Sequence, residues 1–358
     1  MVKAFIPESL EECLRIINEN DCSIVAGGTD MLIQNRSHTG LAIGFKKPVV
    51  YVSRIEELKT IEVDDENIVI GAVCSLEEIM ENDNTPKLLK DTILEMASPA
   101  IRHTATLAGN IGNASPAGDS LVSLYLMDTR LEIVSVNGIR KVFLKDFITG
   151  VRKIALERNE MITKIIIPRL SFSHAYFRKV GPRLSDAISK LSFAGAYRLE
   201  NEIVKDIRLA FGAVNINVVR VPEIERTLIG KTKNEIINNI DEIIKDTFSD
   251  ISLRQRLFYQ KTGKVGLSRA DCVWLRHIAS ARIFKLGVLQ YQPIKMFYLE
   301  NYENGSPFFV ISDYQKAKLP AGTPVLNVHV QTGADLAVER VADSLQMAKD
   351  FFPRVFPD

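Results

Sequence analysis

Apolar and polar positions alternate along the first 170 residues in a way that predicts short helices and short strands. A capping box at residues 9–12 precedes apolar positions at helical spacing, which predicts an amphipathic helix ending near Asn20. A second capping box at residues 75–78 opens another helix in the same way. The remaining predicted elements of this part are strands at 23–26, 49–52, 60–63 and 68–71 and a helix over 85–97.

Residues 98–119 show neither a helical nor a strand period. They are rich in Gly, Asn, Ser and Pro, which predicts a loop of about twenty residues. Loops of that length are uncommon inside compact domains unless they carry function. The stretch is therefore a candidate binding segment.

The pattern of apolar and polar positions changes near residue 174, and the elements that it predicts after that point again mix helices and strands. A hairpin with a turn at Asn137–Gly138 and a strand at 161–168 come before that point. The elements expected after it are strands at 175–180, 193–198, 207–212, 297–300, 308–312 and 324–330, and helices at 222–229, 233–248 and 338–352. We expect three domains, over residues 1–172, 173–252 and 253–358.

Composition narrows the class of protein without naming a function. Lys and Arg total 45 and Asp and Glu 44, so the net charge of +1 supplies no electrostatic argument for a nucleic-acid or membrane-surface partner. Four scattered cysteines form no C-x-x-C pair, so iron–sulfur and structural zinc sites have no support in this chain. There is no signal-peptide pattern and no run of 18 apolar residues, which predicts a cytoplasmic protein without a membrane span.

Two glycine-rich segments are the strongest candidates for chemistry. Gly27 and Gly28 follow a predicted strand and let backbone N–H groups approach an anion, although a tight turn would need glycine as well. Residues 106–110 offer the same small residues, N–H donors and hydroxyl. Asp119 is either a helix N-cap or an acid that accepts hydrogen bonds from ligand hydroxyls. Two such segments together favour a phosphate-bearing ligand, although the chain contains no G-x-G-x-x-G or complete P-loop motif.

Residues 24–31 and 106–111 resemble the FAD-binding subunit of molybdenum hydroxylases, a group that includes xanthine, carbon monoxide and nicotinate dehydrogenases. The resemblance covers about residues 1–250 and includes the flanks 97–102 and 177–183. It implies an α+β fold: a PCMH-type FAD-binding domain of two subdomains with the flavin between them, and then a smaller α+β domain like the C-terminal domain of the CO dehydrogenase flavoprotein.

The resemblance also implies which residues hold a non-covalent FAD. Ala108 stands where the family usually has glycine, which adds a methyl group beside the cofactor, and Lys179 would place a cation beside the flavin. The implied residues are Ile24, Val25, Ala26, Gly27, Gly28, Thr29, Asp30 and Met31 at the pyrophosphate; Thr106, Leu107, Ala108, Gly109 and Asn110 on the second side; Asp119 at ribityl or ribose hydroxyls; Met96 and Ala97 near the ligand; Ile162 at the flavin ring; and Lys179.

The implied function is electron transfer without a catalytic residue or metal of its own. Electrons would pass from a molybdopterin-binding large subunit, through an iron–sulfur small subunit, to FAD and then to NAD⁺ or another acceptor. Two alternatives remain open at this point. One is a stand-alone PCMH-type flavin oxidoreductase with its own substrate, and the other is a non-enzymatic nucleotide-binding or assembly module.

The last hundred residues depart from that family. Residues 281–290 and 319–329 resemble, more weakly, part of a GNAT-like acyltransferase domain. The alternative is a structural or docking α/β appendage. Apolar positions from Val338 to Phe352 recur at helical spacing, which gives the predicted closing helix one face suited to packing.

Overall fold

A computed structural model describes residues 2–36, 44–181, 186–189, 191–239, 243, 298–300 and 308–310. Across these residues no helix is long and apolar enough to cross a membrane. The described residues up to Ile243 belong to one compact unit, and residues 298–300 and 308–310 belong to a second one.

The described part contains helices and strands in mixed order. The strands are β1 (Ala4–Phe5), β2 (Ser23–Val25), β3 (Val49–Tyr51), β4 (Ile61–Val63), β5 (Asn67–Gly71), β6 (Arg130–Ser135), β7 (Gly138–Phe143), β8 (Ile148–Gly150), β9 (Lys153–Ile154), β10 (Met161–Pro168), β11 (His174–Val180), β12 (Leu191–Glu200), β13 (Ile203–Gly212), β14 (Val219–Arg220), β15 (Tyr298–Glu300) and β16 (Phe308–Val310). The helices are α1 (Leu10–Glu19), α2 (Met31–Gln34), α3 (Leu76–Glu81), α4 (Lys87–Leu94), α5 (Pro99–Arg102), α6 (Leu107–Asn113), α7 (Asp119–Leu126), α8 (Leu144–Phe147), α9 (Pro222–Leu228) and α10 (Lys233–Asn238).

Three sheets organise the first unit. A parallel sheet has the order β1-β3-β2, and helix α1 packs on it through Cys13 and Ile17. An antiparallel sheet has the order β4-β5-β10-β6-β7, and a second antiparallel sheet has the order β11-β12-β13-β14. Both capping boxes predicted from the sequence begin helices: Ser9 accepts a hydrogen bond from the Glu12 N–H, and Ser75 exchanges bonds with Glu78.

Helix α7 lies in the core of this unit and all of its eight residues are buried. It packs against β12 and β13, where a Cβ on Gly212 would lie 2.4 Å from Val122 Cγ2. Two of its hydroxyl side chains have polar partners, since the Ser123 and Thr92 hydroxyls lie 2.5 Å apart and Ser120 donates to Asn110 Oδ1. The burial of α7 brings its first residue, Asp119, to the inside of the protein.

The prediction of a long loop over residues 98–119 is wrong. Most of that stretch is helical and forms α5, α6 and the first residue of α7. Gly and Asn are poor helix formers, but each of these short helices buries at least part of its length. Thr106 caps α6, whose Leu107 and Ile111 are fully buried. Tertiary packing therefore outweighs local propensity here.

The other predicted elements of the first unit are present, with ends shifted by a few residues. The helix expected over 233–248 is described only as α10 and Ile243, and strands expected at 297–300 and 308–312 are present as β15 and β16. The predicted strand at 324–330, the helix at 338–352 and the GNAT-like segments lie outside the described residues.

Candidate functional site

The two glycine-rich segments are in direct contact. A Cβ on Gly27 would lie 2.0 Å from the carbonyl oxygen of Thr104 and 2.9 Å from Ala105 Cα. Only glycine lets the backbone after β2 rest on the backbone that leads into α6. The fold thus joins two segments that are almost eighty residues apart in the chain, at 27 and 104.

The first segment presents a run of free backbone donors. Gly28 has a φ of +70°, and within the described residues the N–H groups of residues 27–31 donate no hydrogen bond. Successive N–H groups around a residue with positive φ form a concave site for an anion. The Thr29 hydroxyl lies in the same run and is partly exposed.

The second segment is the capped start of α6. The Thr106 hydroxyl accepts a hydrogen bond from the Gly109 N–H at 3.0 Å, while the N–H group of Ala108 has no acceptor among the described residues. The Ala108 side chain belongs to the buried core and is 8% exposed. The extra methyl is therefore packed into the protein interior.

Asn110 connects this segment with the start of α7. Its Oδ1 accepts a hydrogen bond from the Ser120 hydroxyl at 2.7 Å, and Ser120 follows Asp119 directly. The backbone at the start of α6 and the buried acid are therefore parts of one connected arrangement.

Asp119 and Lys179 form a buried ion pair. Lys179 Nζ lies 2.8 Å from Asp119 Oδ2, and the Ser189 hydroxyl donates to Asp119 Oδ1 at 2.5 Å. Both charged side chains are less than a tenth exposed. Burial raises the pKa of Asp119, while Lys179 and Ser189 oppose that shift. Gly118 is the N-cap of α7, so Asp119 is the first helical residue and not the cap.

Met96 and Ala97 form a turn that a buried arginine holds in place. Ala97 has a φ of +50°, and Arg102 Nη1 donates to the carbonyl oxygens of Met96 and Ala97 at 3.2 and 3.4 Å. Arg102 Nε also lies 2.8 Å from Glu77 Oε2. In the sequence Arg102 stands out only as the last residue of the 97–102 motif, and no local pattern there indicates this contact.

Loss of that arginine is expected to destabilise the protein. Arg102→Met should lower the free energy of unfolding by about 3 kcal/mol, because it leaves the mostly buried Glu77 without its partner. Urea unfolding of the apo protein measures the change. The control is Lys87→Met, which removes an exposed pair to Asp91 and should cost less than about 1 kcal/mol. Equal effects of the two substitutions would contradict the role of burial at Arg102.

Ile162 lies in β10 beside an irregularity of the sheet. It pairs with Ile133, and the register shifts between Ile162 and Lys164. Ile162 is 8% exposed and belongs to the same buried cluster as Met96 and Ala108.

Ser189 was not among the residues predicted for the site. No local sequence pattern indicates it, because it contacts Asp119 only through the tertiary fold.

Comparison with known families and proteins agrees with this geometry. A family model for the FAD-binding domain in molybdopterin dehydrogenase matches residues 1–170. A model for the CO dehydrogenase flavoprotein C-terminal domain matches residues 175–255, and one for a GNAT-like C-terminal domain matches residues 283–358.

Individual relatives cover most of the same region. The chain is 28% identical over 281 residues to the nicotinate dehydrogenase FAD-subunit of Eubacterium barkeri, covering 74% of this chain and 92% of the relative. It is 28% identical over 253 residues to a putative xanthine dehydrogenase FAD-binding subunit of Escherichia coli K12, covering 69% and 85%.

The fold matches a solved flavoprotein as well. A chain of the reconstituted CO dehydrogenase from Oligotropha carboxidovorans superposes with a TM-score of 0.63 at 21% identity, covering 70% of this chain and 87% of the other. This confirms the expected mixed α+β, PCMH-type fold. Over its first 255 residues, the chain is therefore homologous to the FAD-binding subunits of xanthine and nicotinate dehydrogenases.

Proposed function

We propose that this chain binds one FAD non-covalently and relays electrons in the cytoplasm, within a complex that contains a molybdopterin-binding large subunit and an iron–sulfur small subunit. Electrons would enter from the iron–sulfur clusters of the small subunit and leave to NAD⁺ or another acceptor. The names of the relatives support this assignment of FAD to the present chain, since the relatives are FAD-binding subunits of dehydrogenases.

The observation that carries the proposal is the run of N–H groups at residues 27–31 that have no acceptor in the part of the chain that the structure describes. A pyrophosphate needs several donors at close range, and this backbone run, whose Gly27 packs on Thr104 and Ala105, offers them in succession. Among the described residues, the Ala108 N–H at the start of α6 adds a donor from the second segment. The residues present therefore fit the phosphate part of FAD.

Asp119 and Lys179 fit the sugar and flavin parts of the cofactor. A carboxylate has about four lone-pair positions, and Lys179 and Ser189 occupy two of those of Asp119. Asp119 can therefore still accept bonds from ribityl or ribose hydroxyls. Lys179 would hold a cation close to the ring system, where it favours the reduced form. When bound, FAD supplies the redox chemistry itself, taking up electrons from the clusters and passing them on.

The first test is a visible spectrum of the purified full-length chain, with the released cofactor identified by mass. We expect one non-covalent FAD per chain, because both donor segments are assembled in the folded protein. A colourless protein that FAD cannot reconstitute would contradict the proposal and favour the nucleotide-binding or assembly module.

Partner-dependent reduction is the second half of that test. The flavin should be reduced by the complex's substrate only when the molybdenum and iron–sulfur subunits are present. Reduction of the isolated chain by such a substrate would instead favour a stand-alone flavin oxidoreductase. Bleaching of the flavin band on mixing with NADH would support NAD⁺ as the acceptor.

A further inference from the structure

One side-chain amide outside the predicted site joins three separate segments. Asn113 Nδ2 donates to Asp30 Oδ2 at 3.0 Å. Its Oδ1 accepts from Gln34 Nε2 and from Arg152 Nη1, each at 3.0 Å. The end of the first glycine segment, the end of α6 and the turn of the β8–β9 hairpin therefore meet at Asn113.

The backbone around this junction is held in an unusual conformation. Ala114 ends α6 with a φ of +45°, and Arg152 has a φ of +54°. The Arg152 N–H donates to the Ala114 carbonyl oxygen at 3.0 Å. Non-glycine residues adopt positive φ rarely, so these bonds hold the hairpin in register with the end of α6.

The first glycine segment is thus anchored at both ends on one stretch of chain. Gly27 rests on the backbone of Thr104, and Asp30 is bonded to Asn113. The N–H groups of residues 27–31, which have no acceptor among the described residues, run from the first of these two contacts to one residue past the second. A loop held in this way loses little further conformational freedom when it binds an anion, which strengthens binding.

We propose that Asn113 is a positioning residue that holds the first glycine segment in its FAD-binding conformation, an inference that rests on the proposed function. The amide of Asn113 offers a donor to Asp30 and an acceptor to Gln34 and Arg152 at once, which the methyl group of alanine cannot do. The three bonds lie at the solvent-exposed edge of the protein. They therefore matter more for the order of the segment than for the stability of the whole chain.

The test compares FAD affinity with apo stability in the full-length chain. Asn113→Ala should raise the Kd for FAD about tenfold, because the segment must then be ordered during binding, and should leave the apo Tm unchanged. The matched control is Asn159→Ala, which removes another exposed amide bond between distant segments, from Asn159 to Asn18. It should leave the Kd unchanged.

A charge-swap cycle tests the bond between Asn113 and Asp30 itself. Asn113→Asp places two carboxylates together and should raise the Kd at least as much as the alanine variant. With Asp30→Asn in the same chain, the amide and the carboxylate exchange places, so the penalty of Asn113→Asp should largely disappear. The rescue should persist in about 1 M NaCl, where the Debye length is about 3 Å and long-range repulsion of the anionic cofactor is screened.

Three results would overturn this inference while leaving the proposed function standing. An Asn113→Ala variant with wild-type Kd shows that the amide does not position the segment. An equal penalty for Asn113→Asp with either residue at position 30 shows that the two side chains are not coupled. If Asn113→Ala lowers the apo Tm so far that partial unfolding explains the weaker FAD binding, the role of Asn113 is purely structural. Absence of FAD binding by the wild-type chain would overturn the proposed function, and this inference with it.

Discussion

Replacement of Gly27 by alanine is expected to abolish FAD retention and to destabilise the apo protein by about 3 kcal/mol, near the upper end for overpacking. The added Cβ would lie 2.0 Å from the Thr104 carbonyl oxygen, and neither backbone can move aside like a flexible side chain. The two glycine-rich segments would separate, and their donors would no longer converge on one anion. Urea unfolding and the flavin content after purification measure the two effects.

The control for this variant lies in the same region of the chain. A Cβ on Gly112 in α6 would meet no atom within 4 Å. Gly112→Ala should therefore keep FAD bound and stabilise the protein by roughly 0.5–1 kcal/mol, because alanine is the better residue inside a helix. If Gly27→Ala behaved like Gly112→Ala, the close contact between the two segments would be disproved.

Replacement of Lys179 by methionine is expected to have an effect of similar size. It leaves the buried Asp119 with Ser189 as its remaining hydrogen-bond donor, and an uncompensated buried charge costs about 3–5 kcal/mol. Burial without the cation should also raise the pKa of Asp119 further. The protonated form is then favoured in the folded state, so the variant should lose stability as the pH rises above 3.8, the ordinary pKa of an aspartate.

A double variant separates the structural role of this pair from its proposed role at the cofactor. Asp119→Leu together with Lys179→Met replaces the ion pair by apolar groups and should recover most of the lost stability. It should not recover FAD affinity, because the acceptor for ligand hydroxyls is gone. A stable double variant with wild-type affinity for FAD would show that the pair serves only the fold. Urea unfolding across pH and flavin titration provide both readouts.

Much of the fold was readable from short-range patterns. The capping boxes at Ser9 and Ser75 begin helices as expected, and the hairpin of β6 and β7 turns close to Asn137. These features depend on bonds between residues within a few positions of each other, so one sequence contains the necessary information. The glycine pair at 27–28 was visible for the same reason.

The failure at residues 98–119 has an equally physical reason. Its composition disfavours helices locally, yet α6 forms because Leu107 and Ile111 are buried in the core. Burial depends on what lies opposite, which a local pattern does not contain. The position of the Ala108 methyl in the core was not predictable on the same grounds.

The sequence by itself determined the short helices and strands, the two glycine-rich segments and the family to which they point. The tertiary structure decided how these parts act together. It places Gly27 on Thr104, Lys179 on Asp119 and Asn113 on Asp30. Each of these contacts joins residues that are sixty or more positions apart. Their existence depends on the packing of whole sheets and helices, whereas the elements depend mainly on neighbours in the chain.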